Sequence, residues 1–173
     1  MLFLKKMVAI MIRRAERRDI PALMDIYNDA ILHTTATFDT EIKDRANREA
    51  WYGEHTGRYA IFVCEEGKEI VGYASLSRYR DRRAFDPAVE LSIYLREDAR
   101  GRGIGRELMA QILASARACE EIATVISLIT GDNEASIRLH EHFGFVYCGQ
   151  IRSAGVKFGR TLNLNAYQIV FDR

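Results

Sequence analysis

The chain has 173 residues, 48% of them apolar and 28% charged, a balance that suits one globular domain and rules out a wholly disordered chain. Lysine and arginine total 25 against 24 acids, a net charge of +1. That excludes a net basic field for nucleic acid or an anionic membrane, and no apolar run approaches the roughly 20 residues that span a bilayer.

Cys64, Cys119 and Cys148 are odd in number and far apart. They fit neither a disulfide framework nor a zinc site, and point to a reducing, cytoplasmic setting. Of four histidines only His140 and His142 are close, and two positions along a helix set side chains roughly 200° apart, so no metal is expected. Met1 to Ile10 is apolar and mildly basic, but its h-region is too short for a signal peptide and lacks a small-residue cleavage site. Residues 1–10 read as an extension, with Met1, Met7 and Met11 all available as the start, and 11–173 as a single domain without a linker.

In chain order, Met11 to Ala15 reads as a strand. Asp19 is expected to cap a helix with Pro21 in its first turn and Leu23, Ile26, Tyr27, Ala30 and Ile31 on one face. A threonine-rich loop, His33 to Thr40, leads to a second helix over Arg45 to His55. Strands Tyr59 to Glu65 and Glu69 to Arg78 flank the hairpin signal Glu66–Gly67–Lys68. An arginine-rich connection ends at Pro87, and Val89 to Leu95 is a strand. Ile104 to Glu120 is a long helix with Leu108, Ile112 and Ala116 in one stripe. Thr124 to Ile129 is a buried strand, Asn133 to His142 a short helix, and Phe145 to Ile151 and Leu162 to Phe171 the last strands. The order β-α-α-β-β-β-α-β-α-β-β predicts an α/β (α+β) fold, a mixed sheet with helices on both faces.

The segment Arg100–Gly101–Arg102–Gly103–Ile104–Gly105 lies between a strand and a helix. Its glycines let the backbone come close to a partner and leave amides free where the helix dipole favours an anion, by about 0.3–1 kcal/mol. This is the chemistry of a phosphate cradle. A dinucleotide fingerprint would need glycine at Arg106 or Leu108, and a P-loop would need Gly-Lys-Ser/Thr; both are absent. A ligand-free glycine turn stays open on these residues alone.

The strand Val89–Leu95 followed by Arg100, Gly103 and Gly105 resembles motif A of the GCN5-related N-acetyltransferases, Arg/Gln-x-x-Gly-x-Gly/Ala. Gly131–Asp132–Asn133–Glu134–Ala135–Ser136 with Gly144–Phe145 resembles motif B, although Asn133 and Ser136 also suit a helix cap. The resemblance implies the family fold, a mostly antiparallel sheet of about seven strands, and acetyl-CoA as co-substrate. It implies that the loop Arg100, Gly101, Arg102, Gly103, Ile104, Gly105 and Arg106 binds the coenzyme, its amides holding the pyrophosphate. Ile93, Tyr94 and Leu95 would pair with the pantetheine arm, and Asn133 and Ser136 would bond the coenzyme.

Tyr27–Asn28, Thr34 to Phe38, Gly72–Tyr73–Ala74, Val89–Glu90, Leu139–His140–Glu141 and Val156–Lys157–Phe158–Gly159 are similar to the phosphinothricin and methionine sulfoximine or sulfone acetyltransferases. Thr161 and Asn163 depart from the tryptophan and aspartate frequent there. The resemblance implies a homodimer acting on a small-molecule amino acid, with no nucleic acid and no membrane.

Acetylating an ammonium needs a base, and each pKa unit above ambient pH costs about 1.4 kcal/mol. Glu90, a charge among apolar neighbours on the strand that meets the coenzyme, is the candidate general base. A solvated edge residue, or one paired with a loop arginine, is the plain alternative. His140 occupies the position where many relatives place a tyrosine acid, with Tyr94 and Tyr147 as replacements. An amide near Ile93 would polarise the thioester oxygen. By resemblance Arg80 and Arg82 would hold the acid groups of the substrate, with Ser92 at its polar head and Phe38 as an apolar wall; a solvated loop is the alternative for the arginines. Protein N-termini or polyamines as acceptors, and a non-catalytic CoA-binding sensor, are the competing readings.

Overall fold

The computed structural model describes residues 9–172; residues 1–8 of the expected extension, with the candidate starts Met1 and Met7, lie outside them. Strands are β1 (Ile10–Arg14), β2 (Ile61–Glu66), β3 (Glu69–Arg78), β4 (Ala88–Leu95), β5 (Thr124–Thr130), β6 (Val146–Lys157) and β7 (Arg160–Val170). Helices are α1 (Ile20–His33), α2 (Arg45–Glu54), α3 (Ile104–Ala118) and α4 (Glu134–His142). The strands form one seven-stranded sheet in the order β1-β2-β3-β4-β5-β7-β6. Every pairing is antiparallel except β4 with β5, so the expected mixed, mostly antiparallel α/β sheet is what forms.

Strand alternation builds a core on each face. Ile61 and Val63 of β2 pack with Leu23 and Ile26 of α1 and with Trp51 of α2. Phe62 and Cys64, their sequence neighbours, join Leu108, Ile112 and Ala116 of α3 in the larger core. The α3 stripe is fully buried, and Ile137 and Leu139 of α4 pack on the same side.

Three local expectations are corrected. Ile10 is not part of an extension but the first residue of β1, paired with Glu66; its exposed side chain hides it from a burial pattern. Asp19 flanks α1 without capping it through its side chain. Its carboxylate instead accepts from the Glu16 amide at 2.8 Å and from Arg13 Nη1 at 2.7 Å and Nη2 at 2.9 Å. The penultimate strand runs past Ile151 to Lys157, because register breaks between Ile151 and Gly155 and Ser153 at φ 53° destroy the alternation that would reveal it. Phe158 and Gly159, at φ 51° and 69°, then close a two-residue hairpin between Lys157 and Arg160.

Candidate active site

The site begins where two strands part. β4 pairs with β3 from Val89 to Leu95 but with β5 only from Ala88 to Glu90. Beyond Glu90 the β4 edge facing β5 has no strand partner, and peptide groups there can pair with an extended ligand. A cleft of about 750 Å³ opens at this divergence. Ile93, Tyr94 and Leu95 line one wall, Arg100, Gly101, Gly103, Gly105 and Arg106 the floor, and the start of α4 the other wall.

Gly101 and Gly103 sit at φ 71° and 84°, conformations that side chains disfavour, and Gly103 is the N-cap of α3. A Cβ at either position would meet nothing within 4 Å. These glycines therefore serve backbone shape and open approach, not packing. The first amides of α3 have no preceding turn to donate to and face an approaching anion with the helix dipole behind them. Arg100, Gly105 and Arg106 line the cleft with them. The side chains of the other two predicted residues point elsewhere: Arg102 pairs with Glu66 and Ile104 is buried in the core. Only their main chain is available to a ligand.

On α4, Asn133 Oδ1 accepts from the Ser136 amide at 3.2 Å, and both residues line the cleft. Cap and cleft roles coexist. Arg138, Leu139 and His142 join them, lying with Ala135 on one helical face, a spacing that could have found them. Ala30, Thr34, Thr35 and Ala36 also line the cleft; no sequence signal links the end of α1 to the glycine loop.

His140 is corrected in place. It does not line the cleft but is 2% exposed. Its Nδ1 bonds the Ser136 carbonyl at 2.7 Å, its ring stands edge-on to Phe145 at 4.9 Å, and Nε2 is buried without a partner. Burial lowers its pKa below the usual imidazole value, so the neutral ring prevails near pH 7. Nδ1–H donates to Ser136, which leaves Nε2 as a bare acceptor.

Glu90, Ser92 and Tyr94 alternate onto the opposite face of β4, across from Ser77, Ser75 and Tyr73 of β3. Burial raises the pKa of Glu90 against the opposing pull of Arg80. Tyr94 stands 5.2 Å from the Tyr27 ring, and burial holds its phenol well above the ordinary value. Tyr27 donates to Asp39 at 2.8 Å, tying α1 to the loop that carries Thr37 and Phe38. Phe38 packs where a Cβ at Gly155 would lie 3.1 Å from its ring. Arg80 and Arg82 are exposed, and Arg80 folds over the Tyr79 ring at 4.4 Å. Among the described residues no group of three or more histidines, cysteines or acids is placed to hold a metal ion, and no helix is long and apolar enough to cross a membrane.

A splayed parallel pair, an amide cradle at the next helix and a half-buried carboxylate define an enzyme class that presents a nucleotide-linked acyl group to a nucleophile. The chain belongs to the Acetyltransferase (GNAT) family, whose model matches residues 20–145, and it is an N-acetyltransferase. It is 39% identical over 162 residues to the L-methionine sulfoximine/L-methionine sulfone acetyltransferase of Salmonella typhimurium, covering 93% of this chain and 94% of that protein. It is 37% identical over 163 residues to phosphinothricin N-acetyltransferase of Streptomyces coelicolor, covering 92% and 95%. The fold superposes on yncA of Salmonella typhimurium, solved with its cofactor acetyl-CoA, at TM-score 0.91 and 38% identity, covering 95% of each chain. The open β4 edge and the left-handed glycines are consistent with a phosphate-bearing, extended thioester in this cleft.

Proposed function

We propose that the protein transfers acetyl from acetyl-CoA to the amino group of a small acidic amino acid or analogue of the methionine sulfoximine, methionine sulfone or phosphinothricin type. One observation carries the reading: β4 offers an open backbone edge to the cleft and, on its other face, a half-buried carboxylate three residues before Ile93.

Amides from Gly101 to Gly105 and the Arg100 and Arg106 side chains hold the pyrophosphate. The Ile93–Leu95 main chain pairs with the pantetheine arm, and Asn133 and Ser136 bond it from α4. Glu90 takes one proton from the substrate ammonium and frees the nitrogen lone pair to attack the thioester carbon. The Ile93 amide donates to the carbonyl oxygen as charge builds there. The second amine proton passes to the departing sulfur, giving N-acetyl amino acid and free CoA thiol. Arg80 and Arg82 bind the acid groups of the substrate, Ser92 its polar head, and Phe38 walls the pocket.

An acceptor mouth carrying arginines rather than acids speaks against polyamines, and protein N-termini would not call for paired cations. A CoA-binding sensor would need no buried carboxylate. The domain spans 11–173 in this reading and acts in the cytoplasm, in keeping with cysteines that are odd in number and far apart in the sequence. It acts as a homodimer, supported by Val146, Tyr147, Ile151 and Val156 exposed along the edge strand β6. A thiol-release assay with acetyl-CoA and a panel of amines tests the function: turnover on amino-acid analogues is expected, and none on any of them refutes it.

A further inference from the structure

His55 lies outside the machinery described so far. It forms the C-cap of α2, with Nδ1 2.6 Å from the Trp51 carbonyl and Nε2 3.0 Å from Ser77 Oγ. A carbonyl can only accept, so the neutral ring carries its proton on Nδ1 and Nε2 is the acceptor. The Ser77 hydroxyl must then donate to His55, which turns its lone pairs outward. Ser77 is the cross-strand partner of Glu90, and directly opposed residues share one face with Cβ atoms about 4.5–5.5 Å apart. The hydroxyl directly across the strand from the carboxylate is thereby set to accept from a protonated Glu90.

We infer that Ser77 and His55 form the exit route for the proton that Glu90 takes from the substrate ammonium. The Glu90 O–H donates to Ser77 Oγ while the Ser77 proton moves to His55 Nε2. The resulting imidazolium gives one proton to solvent, and rotation of the Ser77 hydroxyl resets the pair. One proton enters and one leaves; no heavy-atom bond changes. His55 is a positioning residue here, acting on Glu90 only through Ser77.

The surroundings suit the task. His55 is half-buried, its ring tilted against Trp51 with the ring centres 4.3 Å apart. Arg48 opposes its charge and Glu54 favours it, while burial keeps the resting ring neutral. On β3 the neighbouring Arg78 is taken by Asp81 at 3.0 Å, and Arg80 is the cation that faces Glu90.

The inference rests on Glu90 being the base, and the test separates the two. With acetyl-CoA and L-methionine sulfoximine as probes, His55→Ala and Ser77→Ala are each expected to lower kcat by about tenfold or more with KM nearly unchanged. The double variant should be no slower than the slower single, as for residues acting as one unit. Added imidazole should restore His55→Ala in a saturable manner and leave Ser77→Ala slow. Singles at wild-type kcat, or losses that multiply without an imidazole response, overturn the relay. His55→Gln decides the same question if the alanine variant fails to fold, since an amide cannot take up a proton. Glu90→Gln runs alongside: retained turnover there sinks the base assignment, whereas its loss beside fully active Ser77 and His55 variants sinks the relay alone.

Discussion

Lys157 Nζ donates to the Thr37 carbonyl at 2.8 Å, joining residues 120 apart in sequence. The last residue of β6 thus pins the loop that carries Phe38, and its side chain is 3% exposed. Burial lowers the ammonium pKa while Asp39 opposes that shift. Lys157→Met keeps the apolar stem but leaves the Thr37 carbonyl without this donor, a loss of about 1–3 kcal/mol for a buried group. A lower melting temperature and a raised KM for the amine, with acetyl-CoA affinity unchanged, are expected from calorimetry and steady-state kinetics.

Glu90→Gln should lower kcat by about 10²–10⁴-fold while leaving coenzyme binding intact. Its effect on stability has a defined sign. Glu90 titrates above the ordinary carboxylate value in the fold, so its favourable contribution is fully present below the unfolded value and is lost as pH rises through the raised one. The glutamine variant should therefore melt above wild type near about pH 8, and the gap should close towards about pH 4. Thermal scans across pH check this, and a gap that widens on acidification contradicts it.

Gly103→Glu should abolish acetyl-CoA binding, because its φ of 84° is unsuited to a side chain and its charge opposes a pyrophosphate. Gly103→Ala separates the two effects. Its Cβ meets no neighbour, so it should cost roughly 1–2 kcal/mol through the left-handed backbone alone. Titration calorimetry with acetyl-CoA reads the first, denaturant unfolding the second.

Arg80→Ala should raise KM for carboxylate-bearing amines about tenfold or more while turnover at saturation stays within severalfold, as when uniform binding is lost. Because Arg80 also opposes the upward shift of Glu90, the acid limb of the pH profile should move to higher pH. An unshifted limb would place the guanidinium too far from the carboxylate to matter.

Ile151→Asp together with Val156→Asp, two exposed positions on β6, should convert a dimer to a monomer with the fold intact. Sedimentation equilibrium and circular dichroism check the two halves of that statement, and a wild-type monomer ends the dimer assignment.

Local order decided most of what is legible in this chain. The α3 stripe follows from apolar spacing, and the Glu66–Gly67–Lys68 hairpin and the glycine loop follow from turn chemistry, because each depends on neighbours within a few residues. Asp19 and the end of β6 escaped that logic: one carboxylate was captured by Arg13, and one bulge erased an alternation.

The sequence alone therefore determined the order of the helices and strands and that amides would be bare at Gly101 to Gly105. Only the tertiary structure decided that β4 and β5 part after Glu90, that His140 is buried while His142 faces the cleft, and that Lys157 reaches Thr37. Those outcomes depend on sheet register and on which helix face packs inward, set by contacts far apart in the chain that no local pattern encodes.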